Sequence, residues 1–154
     1  MAMQISPYPA VAGRYDISLP TLLAPVEQIP LYTHKVSAGF PSPADDYVED
    51  RLDLNQLLVQ NKSSTFFLRV QGDSMVNAGI QDGDMIVVDR SITPVDRSVI
   101  VAVIDGELTV KRLVLINGVA ELHAENAKYA PIRFKEGQNL TIWGVVTSSV
   151  HSVN

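Results

Sequence analysis

The sequence predicts a mainly β fold, a small all-β sandwich or partly open barrel with one or two short helices. Short runs rich in β-branched and apolar residues recur along the second half of the chain, and turn-forming pairs separate them. Many short strands with few helices are typical of such a fold. The 154 residues, 46% of them hydrophobic, suit one packed domain with an appendage.

The first 38 residues predict an extended N-terminal arm. Prolines at positions 7, 9, 20, 25 and 30 interrupt any helix and remove backbone donors from any strand. Apolar pieces such as Ile17–Leu19 and Leu22–Leu23 can still dock on a surface. We therefore divide the chain into an arm, residues 1–38, and a β-rich domain, residues 39–154.

The β-rich domain begins with a predicted short helix. The run Asp45–Asp50 starts acidic, as a helix N-terminus prefers, and we assign it no chemistry. The strands that follow are predicted, in order, at Thr65–Val70, Met85–Asp89, Ser98–Ile104, Leu108–Ile116, Val119–Ala124 and Leu140–Val146.

Three turns connect these strands. Asp105-Gly106 and Asn117-Gly118 are two-residue hairpin signals. Asp82-Gly83-Asp84 also predicts a turn. Calcium binding is the alternative for its acids, but the ligands at alternating positions and the distal Glu of a calcium loop are absent.

Charge and composition exclude several classes of protein. The net charge of −5 opposes non-specific binding to nucleic acid phosphates. The absence of cysteine excludes disulfides, thiol catalysis and thiolate zinc sites, and it is compatible with a reducing cytoplasm. The most apolar run, Val99–Ile104, is far shorter than the roughly 20 residues of a membrane span, and no secretory signal is evident. We expect a soluble, cytoplasmic protein without direct sequence-specific DNA binding.

Two stretches carry the candidate chemistry. In Val70–Val76, Ser74 follows a glycine turn at the end of a predicted strand, and in Leu108–Leu113, Lys111 interrupts an apolar strand. A serine hydroxyl is a poor nucleophile until a base removes its proton. A lysine amine is a base only when neutral, which is rare in water because its pKa is near ~10.4. Burial can lower that pKa by about 3–5 units, so an apolar strand suits a base lysine.

A histidine triad is the alternative, with His123 as the base of Ser74. No Gly-x-Ser-x-Gly elbow surrounds the serine, and the Ser-x-x-Lys spacing of β-lactamase-like enzymes is absent. Lys111 is therefore the preferred base. Without chemistry, Gly72-Asp73-Ser74 would be an ordinary turn and Lys111 a surface lysine paired with an acid. Arg112 suits that surface role better, because consecutive strand residues point to opposite faces.

Several spaced motifs resemble, in kind and order, those of the LexA-like Ser-Lys autopeptidases and of their UmuD branch: Gly72–Met75, Asp82–Asp84, Asp105–Lys111, Asp53–Leu58 and Tyr129–Ile132. An upstream stretch, Ala38–Ala44, is similar to the self-cleavage site of the family and its flank. The resemblance covers residues 38 to 154. The arm does not show the helix-turn-helix domain that a LexA-type repressor would carry there.

The resemblance implies regulated self-cleavage between Ala38 and Gly39. Ser74 would attack the Ala38 carbonyl, and Lys111 would take its proton and later pass one to the leaving amine of Gly39. The backbone N–H groups of Ser74 and Asp73 are the candidate oxyanion hole. No metal or cofactor is needed, and none of the three histidines has metal-ligand spacing.

The resemblance also implies the biological setting and the partners. These are a homodimer, stimulation by RecA bound to single-stranded DNA, and a shortened product that serves as accessory subunit of a Y-family, UmuC-like catalytic subunit in error-prone translesion synthesis during the SOS response. Two rival functions remain open. One is a non-enzymatic regulatory module that controls a polymerase or another partner without cleaving, and the other is a small nucleic-acid-binding barrel, which the charge disfavours.

Overall fold

The structure, a computed structural model, describes residues 3–5, 17–18, 28–32, 38–39, 48–135 and 138–154. The chain divides into a larger unit, made of Met1–Pro20 and Asn61–Asn154, and a smaller unit, Thr21–Gln60. Nearly all regular structure among the described residues is β-strand, which confirms the predicted mainly β class. None of the helices among these residues is long and apolar enough to cross a membrane.

The smaller unit contains one hairpin and one short helix. Strands β3 (Ile29–Tyr32) and β4 (Val48–Leu52) pair antiparallel. Helix α1 (Leu54–Leu58) follows, and its N-cap Asp53 accepts a hydrogen bond of 2.8 Å from the backbone N–H of Asn55. The cap carboxylate satisfies one of the backbone donors that the first helical turn leaves unpaired.

The helix predicted over Asp45–Asp50 is wrong for residues 48–50, and residues 45–47 lie outside the described part of the chain. Residues 48–50 belong to β4, where pairing with β3 supplies their backbone partners. The helix begins only after Asp53, at the first position where a side chain caps it. An acidic run favours a helix start, but strand pairing between distant segments overrides such a local preference.

The larger unit is a nine-stranded sheet that does not close on itself. Its strands are β1 (Met3–Ile5), β2 (Ile17–Ser18), β5 (Thr65–Arg69), β6 (Met85–Asp89), β7 (Val99–Ile104), β8 (Glu107–Ile116), β9 (Val119–His123), β10 (Ile132–Arg133) and β11 (Leu140–Val150). The order across the sheet is β10-β9-β8-β7-β11-β6-β5-β2. β1 adds to β11 in parallel, and the other pairings are antiparallel.

Both predicted hairpin turns are confirmed. Asp105 and Gly106 connect β7 to β8 with φ values of 50° and 84°, and Asn117 and Gly118 connect β8 to β9 with φ values of 51° and 78°. Positive φ at both central residues is the type I′ geometry, whose twist matches that of the flanking strands. These turns fix the register of β8, the strand that carries Lys111.

Both faces of the sheet carry a buried cluster. On β7, Ile100 and Ala102 belong to one cluster and Val101 to the other, as the side-chain alternation of a strand requires. Trp143 of β11 packs edge-on against Phe66 of β5, with ring centroids 6.1 Å apart and planes at 76°. The central strands are therefore held from both sides.

The structure describes only a few residues of the predicted arm, so its extended character stays a prediction. Residues 3–5 form β1, residues 17–18 form β2, which pairs with β5, and residues 29–32 form β3. The remaining residues between 1 and 37 lie outside the described part, except Gln28. The boundary between arm and domain at residue 38 stays a prediction.

Strand β11 joins the two halves of the sheet and is irregular where it does so. Its residues 141–145 pair with β7 and its residues 145–150 with β6, with register shifts between Ile142 and Gly144 and between Val146 and Ser148. A Cβ at Gly144 would lie 2.7 Å from Cγ1 of Val88 and 3.0 Å from the carbonyl oxygen of Asp89. Gly144 therefore lets β6 approach β11 closely.

Replacing Gly144 by Ala should lower the free energy of unfolding by about 1–3 kcal/mol, because the added methyl overpacks a buried contact that includes backbone atoms. Urea denaturation of a Ser74→Ala background, in which self-cleavage is not expected to interfere, measures the effect. Gly39→Ala is the matched control, since nothing lies within 4 Å of a Cβ at that position. Equal stability of the two glycine variants would contradict the close approach.

Candidate active site

Ser74 lies in the turn that follows β5. Gly72 adopts a φ of 95°, a value that side-chain-bearing residues rarely accept. Its N–H donates a hydrogen bond of 2.6 Å to Oδ1 of Asp82. Met75, only 2% exposed, inserts into the core next to the serine. Ser74 itself is partly buried, with the Gly72 turn before it and the buried Met75 after it.

The predicted Asp82–Asp84 turn is confirmed, and it contacts residues 70–78, here called the serine turn, from one side. Val70 N–H donates to the carbonyl of Asp84 at 2.8 Å, and Gly83 N–H donates to the carbonyl of Val70 at 2.9 Å. The Asp84 carboxylate is buried and accepts hydrogen bonds from Gln81 N–H and Ser149 Oγ–H, both at 2.8 Å. These acids thus have structural partners within the protein.

Lys111 lies on β8, opposite Ile100 of β7, and its side chain is partly buried. The neighbouring Arg112 forms an ion pair with Glu125 and donates to the carbonyl of Arg97 at 2.7 Å. The pattern agrees with the expectation that Arg112, rather than Lys111, takes the role of a paired surface cation.

The amine of Lys111 contacts the hydroxyl of Ser74, with 3.0 Å between Nζ and Oγ. Nζ also lies 2.9 Å from Oγ1 of Thr109 and 3.0 Å from the carbonyl oxygen of Val110. A neutral amine has two N–H donors and one lone pair. It can therefore donate to Thr109 and Val110 and accept the Ser74 proton, which is the arrangement that a base requires.

Burial lowers the pKa of the Lys111 amine below its ordinary value of 10.5. The salt bridges among residues 48–135 and 138–154 do not include Lys111. Within these residues, no carboxylate forms an ion pair with the ammonium form, so none raises the pKa of the amine back toward its ordinary value. Burial at this site therefore disfavours the ammonium form relative to a lysine in water.

His123, the alternative base, is engaged on its own strand. Its Nε2 lies 2.8 Å from Oε2 of Glu121 on β9. Glu121 also accepts a hydrogen bond of 2.8 Å from Arg133. In the described part of the chain, the hydrogen bond to Ser74 Oγ comes from Lys111 and not from His123.

The serine and the lysine open into a cleft of about 700 Å³ on the larger unit. Both polar and apolar side chains line it. The lining residues are Leu68, Arg69, Val70, Gln71, Gly72, Asp73, Ser74, Met75, Asp82, Gly83, Ile86, Val101, Leu108, Thr109, Val110, Lys111 and Tyr129.

The two backbone groups predicted for the oxyanion hole, Ser74 N–H and Asp73 N–H, differ in whether they already have a partner. Asp73 N–H interacts with the carboxylate of its own residue. The hydrogen bonds within the described part of the chain do not use Ser74 N–H. This group is therefore available to an oxygen that develops negative charge beside the nucleophile.

A loop that sequence reasoning did not assign to the site supports the serine turn from the other side. We call residues 125–129, which follow β9, the support loop. Asn126 Nδ2 donates to the carbonyl of Asp73 at 2.9 Å, and the Tyr129 hydroxyl donates to Oδ1 of Asp73 at 2.5 Å. The Tyr129 hydrogen bond, aided by the charge of Lys128, lowers the pKa of Asp73, and that carboxylate raises the pKa of Tyr129.

The proposed cleavage residues Ala38 and Gly39 belong to the smaller unit. Both are exposed and lie in a bend. Their role as the scissile pair stays a prediction. Among the described residues, no group of three or more His, Asp and Glu side chains is arranged as metal ligands.

The structure combines an open β-sheet with a cleft in which a serine hydroxyl contacts a partly buried amine. The class of protein to which this chain belongs is the serine peptidases. The Peptidase S24-like family model matches residues 30–147, and the chain belongs to this family. The predicted resemblance to LexA-like autopeptidases and their UmuD branch is thereby confirmed.

Individual relatives agree with this assignment. The chain is 46% identical over 123 residues to Protein ImpA of Salmonella typhimurium, covering 79% of this chain and 83% of that protein. It is 44% identical over 127 residues to Protein MucA of Escherichia coli, covering 81% and 86%. LexA repressor 1 of Geobacter sulfurreducens is 36% identical over 129 residues, which cover 84% of this chain but 59% of the repressor. The protein is thus a LexA-like peptidase of the SOS mutagenesis kind.

Replacing Lys111 by Met should leave the protein at least as stable as wild type at neutral pH, because the buried amine becomes an apolar chain of similar length. The folded pKa of Lys111 lies below its unfolded value near ~10.4. Between those two values only the unfolded chain carries the proton, so wild-type stability rises with pH. The advantage of Lys111→Met should therefore shrink as the pH rises toward that unfolded value, measured by urea denaturation at several pH values.

The control for this experiment is Ser74→Ala, which keeps the amine and should keep the wild-type pH dependence. A Lys111→Met protein that is less stable than wild type at neutral pH would show that the amine is held as a stabilising cation.

Proposed function

We propose that this protein cleaves its own chain between Ala38 and Gly39, with Ser74 as nucleophile and Lys111 as general base. The observation that carries the proposal is the 3.0 Å contact between Lys111 Nζ and Ser74 Oγ at a site that lowers the pKa of the amine. A hydroxyl next to a neutral amine is the activated nucleophile that acyl transfer needs.

The chemistry takes two steps. Ser74 Oγ forms a bond to the carbonyl carbon of Ala38 while its proton moves to Lys111 Nζ. The C–N bond to Gly39 then breaks, and the proton passes from Lys111 to the leaving amine. Water, deprotonated by the same amine, hydrolyses the ester and restores Ser74.

Negative charge develops on the Ala38 carbonyl oxygen in both steps. The backbone N–H of Ser74 is the donor we assign to it, with Asp73 N–H as the second candidate. The Thr109 hydroxyl and the Val110 carbonyl keep Nζ directed at the nucleophile, since they occupy its two N–H groups. The proposed reaction uses neither a metal nor a cofactor.

The proposed setting is the SOS response in the cytoplasm. The membership of the chain in the Peptidase S24-like family and its similarity to ImpA and MucA support this part of the proposal. We propose that RecA on single-stranded DNA stimulates the cleavage and that the protein acts as a homodimer. The shortened form then joins a Y-family, UmuC-like catalytic subunit as its accessory subunit in translesion synthesis. The net charge of −5 favours such protein partners over direct contact with DNA.

Incubation of the purified protein with RecA filaments should produce a fragment that begins at Gly39, as intact mass will show. Ser74→Ala should reduce the rate by at least about a thousandfold, because the residue that forms the acyl bond is gone. Gly39→Val should cut slowly, because a branched side chain restricts the backbone next to the reacting carbonyl.

A fragment that starts elsewhere would move the scissile bond. Unchanged processing of Ser74→Ala would remove the serine from the mechanism. A wild-type protein that stays intact under these conditions would favour the non-enzymatic regulatory module.

The pH dependence of self-cleavage identifies the base. The rate should rise with pH through the lowered pKa of Lys111 and level off above it, because only the neutral amine accepts the Ser74 proton. Lys111→Ala should be inactive and His123→Ala should keep the wild-type profile. A rate that levels off near ~6.5, where histidine titrates, and that disappears in His123→Ala would establish a histidine base instead. Fragment yield over time, at matched ionic strength, is the measurement.

A further inference from the structure

The support loop makes contacts to the serine turn that the proposed reaction does not use. Asn77 N–H donates to the carbonyl of Glu125 at 2.9 Å, and Asn126 Nδ2 donates to the carbonyl of Asp73 at 2.9 Å. The contacts connect residues far apart in the chain, so the fold brings the loop to the nucleophile. The contact to the Asp73 carbonyl acts directly on the peptide that precedes Ser74.

The Asp73 carbonyl and the Ser74 N–H belong to the same peptide group. That group is planar and trans, so its C=O and N–H point in opposite directions and turn together. A hydrogen bond that fixes the Asp73 oxygen therefore also fixes the direction of Ser74 N–H. The other donor to this oxygen, Val76 N–H, lies at 3.4 Å and is the weaker of the two.

The amide of Asn126 is itself oriented by its own loop. Its Oδ1 accepts a hydrogen bond of 3.1 Å from Lys128 N–H, and its backbone carbonyl accepts one of 3.1 Å from Tyr129 N–H. With Oδ1 engaged in this way, Nδ2 faces the Asp73 carbonyl. The conformation of the support loop thus sets the direction of Asn126 Nδ2, and Nδ2 in turn holds the Asp73–Ser74 peptide group.

We propose that Asn126 is a positioning residue, which holds the Asp73–Ser74 peptide so that Ser74 N–H points at the oxyanion. The proposal rests on the proposed function of Ser74 and deepens it. Asn126 acts through the peptide and does not touch the substrate. Tyr129 assists by holding the Asp73 side chain through its hydroxyl, at the rim of the cleft.

The test separates the donor role of Asn126 from its part in the loop. Asn126→Asp keeps an oxygen that can accept from Lys128 N–H but loses the N–H group that donates to Asp73. Asn126→Ala loses both interactions. Ala127→Ser, at an exposed neighbour, is the matched control. Thermal unfolding followed by circular dichroism gives the midpoint of every variant, and the assays are run at a temperature below the lowest of them.

Two readouts are measured on the full chain. The first is the rate of self-cleavage against pH. The second is the rate at which a fluorophosphonate labels Ser74, a reaction that forms a bond between Oγ and phosphorus, releases fluoride and does not involve the Ala38–Gly39 bond. Mass spectrometry of the labelled peptide verifies the site.

Both Asn126 variants should be slowed about a hundredfold in both readouts, the loss expected when a catalytic group is displaced by about 1 Å. The midpoint of the pH profile of Asn126→Ala should stay at its wild-type value, because Asn126 is uncharged and does not contact Lys111. Ala127→Ser should match wild type.

An Asn126→Asp protein at the wild-type rate would overturn the inference, even if Asn126→Ala were slow, because the loop alone would then explain the loss. A shifted pH midpoint in Asn126→Ala would also overturn it. A wild-type protein that is labelled at Ser74 but does not cleave would count against self-cleavage, and the labelling rates would still decide the role of Asn126. A wild-type protein that is neither labelled nor cleaved would remove both proposals.

Discussion

The contact between the Lys111 amine and the Ser74 hydroxyl is the interaction on which the rest of the site depends. A partly buried lysine without a carboxylate partner is unfavourable as a cation, and its pKa is accordingly lowered. Thr109 and Val110 satisfy the two N–H groups of the neutral amine without restoring the charge. The free energy that burial costs the ammonium form lowers the pKa of the amine and so favours the proposed role of Lys111 as a base. A lysine that formed an ion pair with a carboxylate at this position would stabilise the fold more, but it would keep its proton and be a poorer base.

The serine turn has the complementary requirement, because it must be rigid and open at the same time. The Asp82–Asp84 turn contacts Gly72, and the support loop contacts Asp73. Met75, the residue after Ser74, is buried in the core. Each of these contacts goes to the backbone or to a neighbour of Ser74, so the hydroxyl and the N–H of Ser74 stay accessible in the cleft. Hydrogen bonds and packing of this kind hold catalytic groups in productive geometry.

Local features of the fold were predictable from the sequence, and features that depend on distant contacts were not. The Asp105-Gly106 and Asn117-Gly118 pairs predicted both hairpins, because type I′ turns need residues that accept positive φ. The helix predicted over residues 45–50 was wrong for residues 48–50, because these residues pair as a strand with a segment that only the fold brings next to them. For the site, composition alone would not have singled out Ser74 and Lys111, and the family motifs did. The role proposed for Asn126 had no sequence signal, because a single asparagine in a loop is ordinary until the fold brings it to Asp73.

The position of β11 has a consequence for when the chemistry can start. Ser74 follows β5 and Lys111 lies on β8, and β11 lies between these two parts of the sheet, next to β6 on one side and β7 on the other. Leu140–Val150 comes after both residues in the chain, so it is made after both. On the ribosome, the β5–β6 hairpin and the β7–β9 strands have no common strand to pair with until that segment emerges, and only the support loop and one core cluster can connect them. We therefore expect the 3.0 Å contact between Lys111 and Ser74 to be fixed in the nascent chain only once synthesis has passed β11.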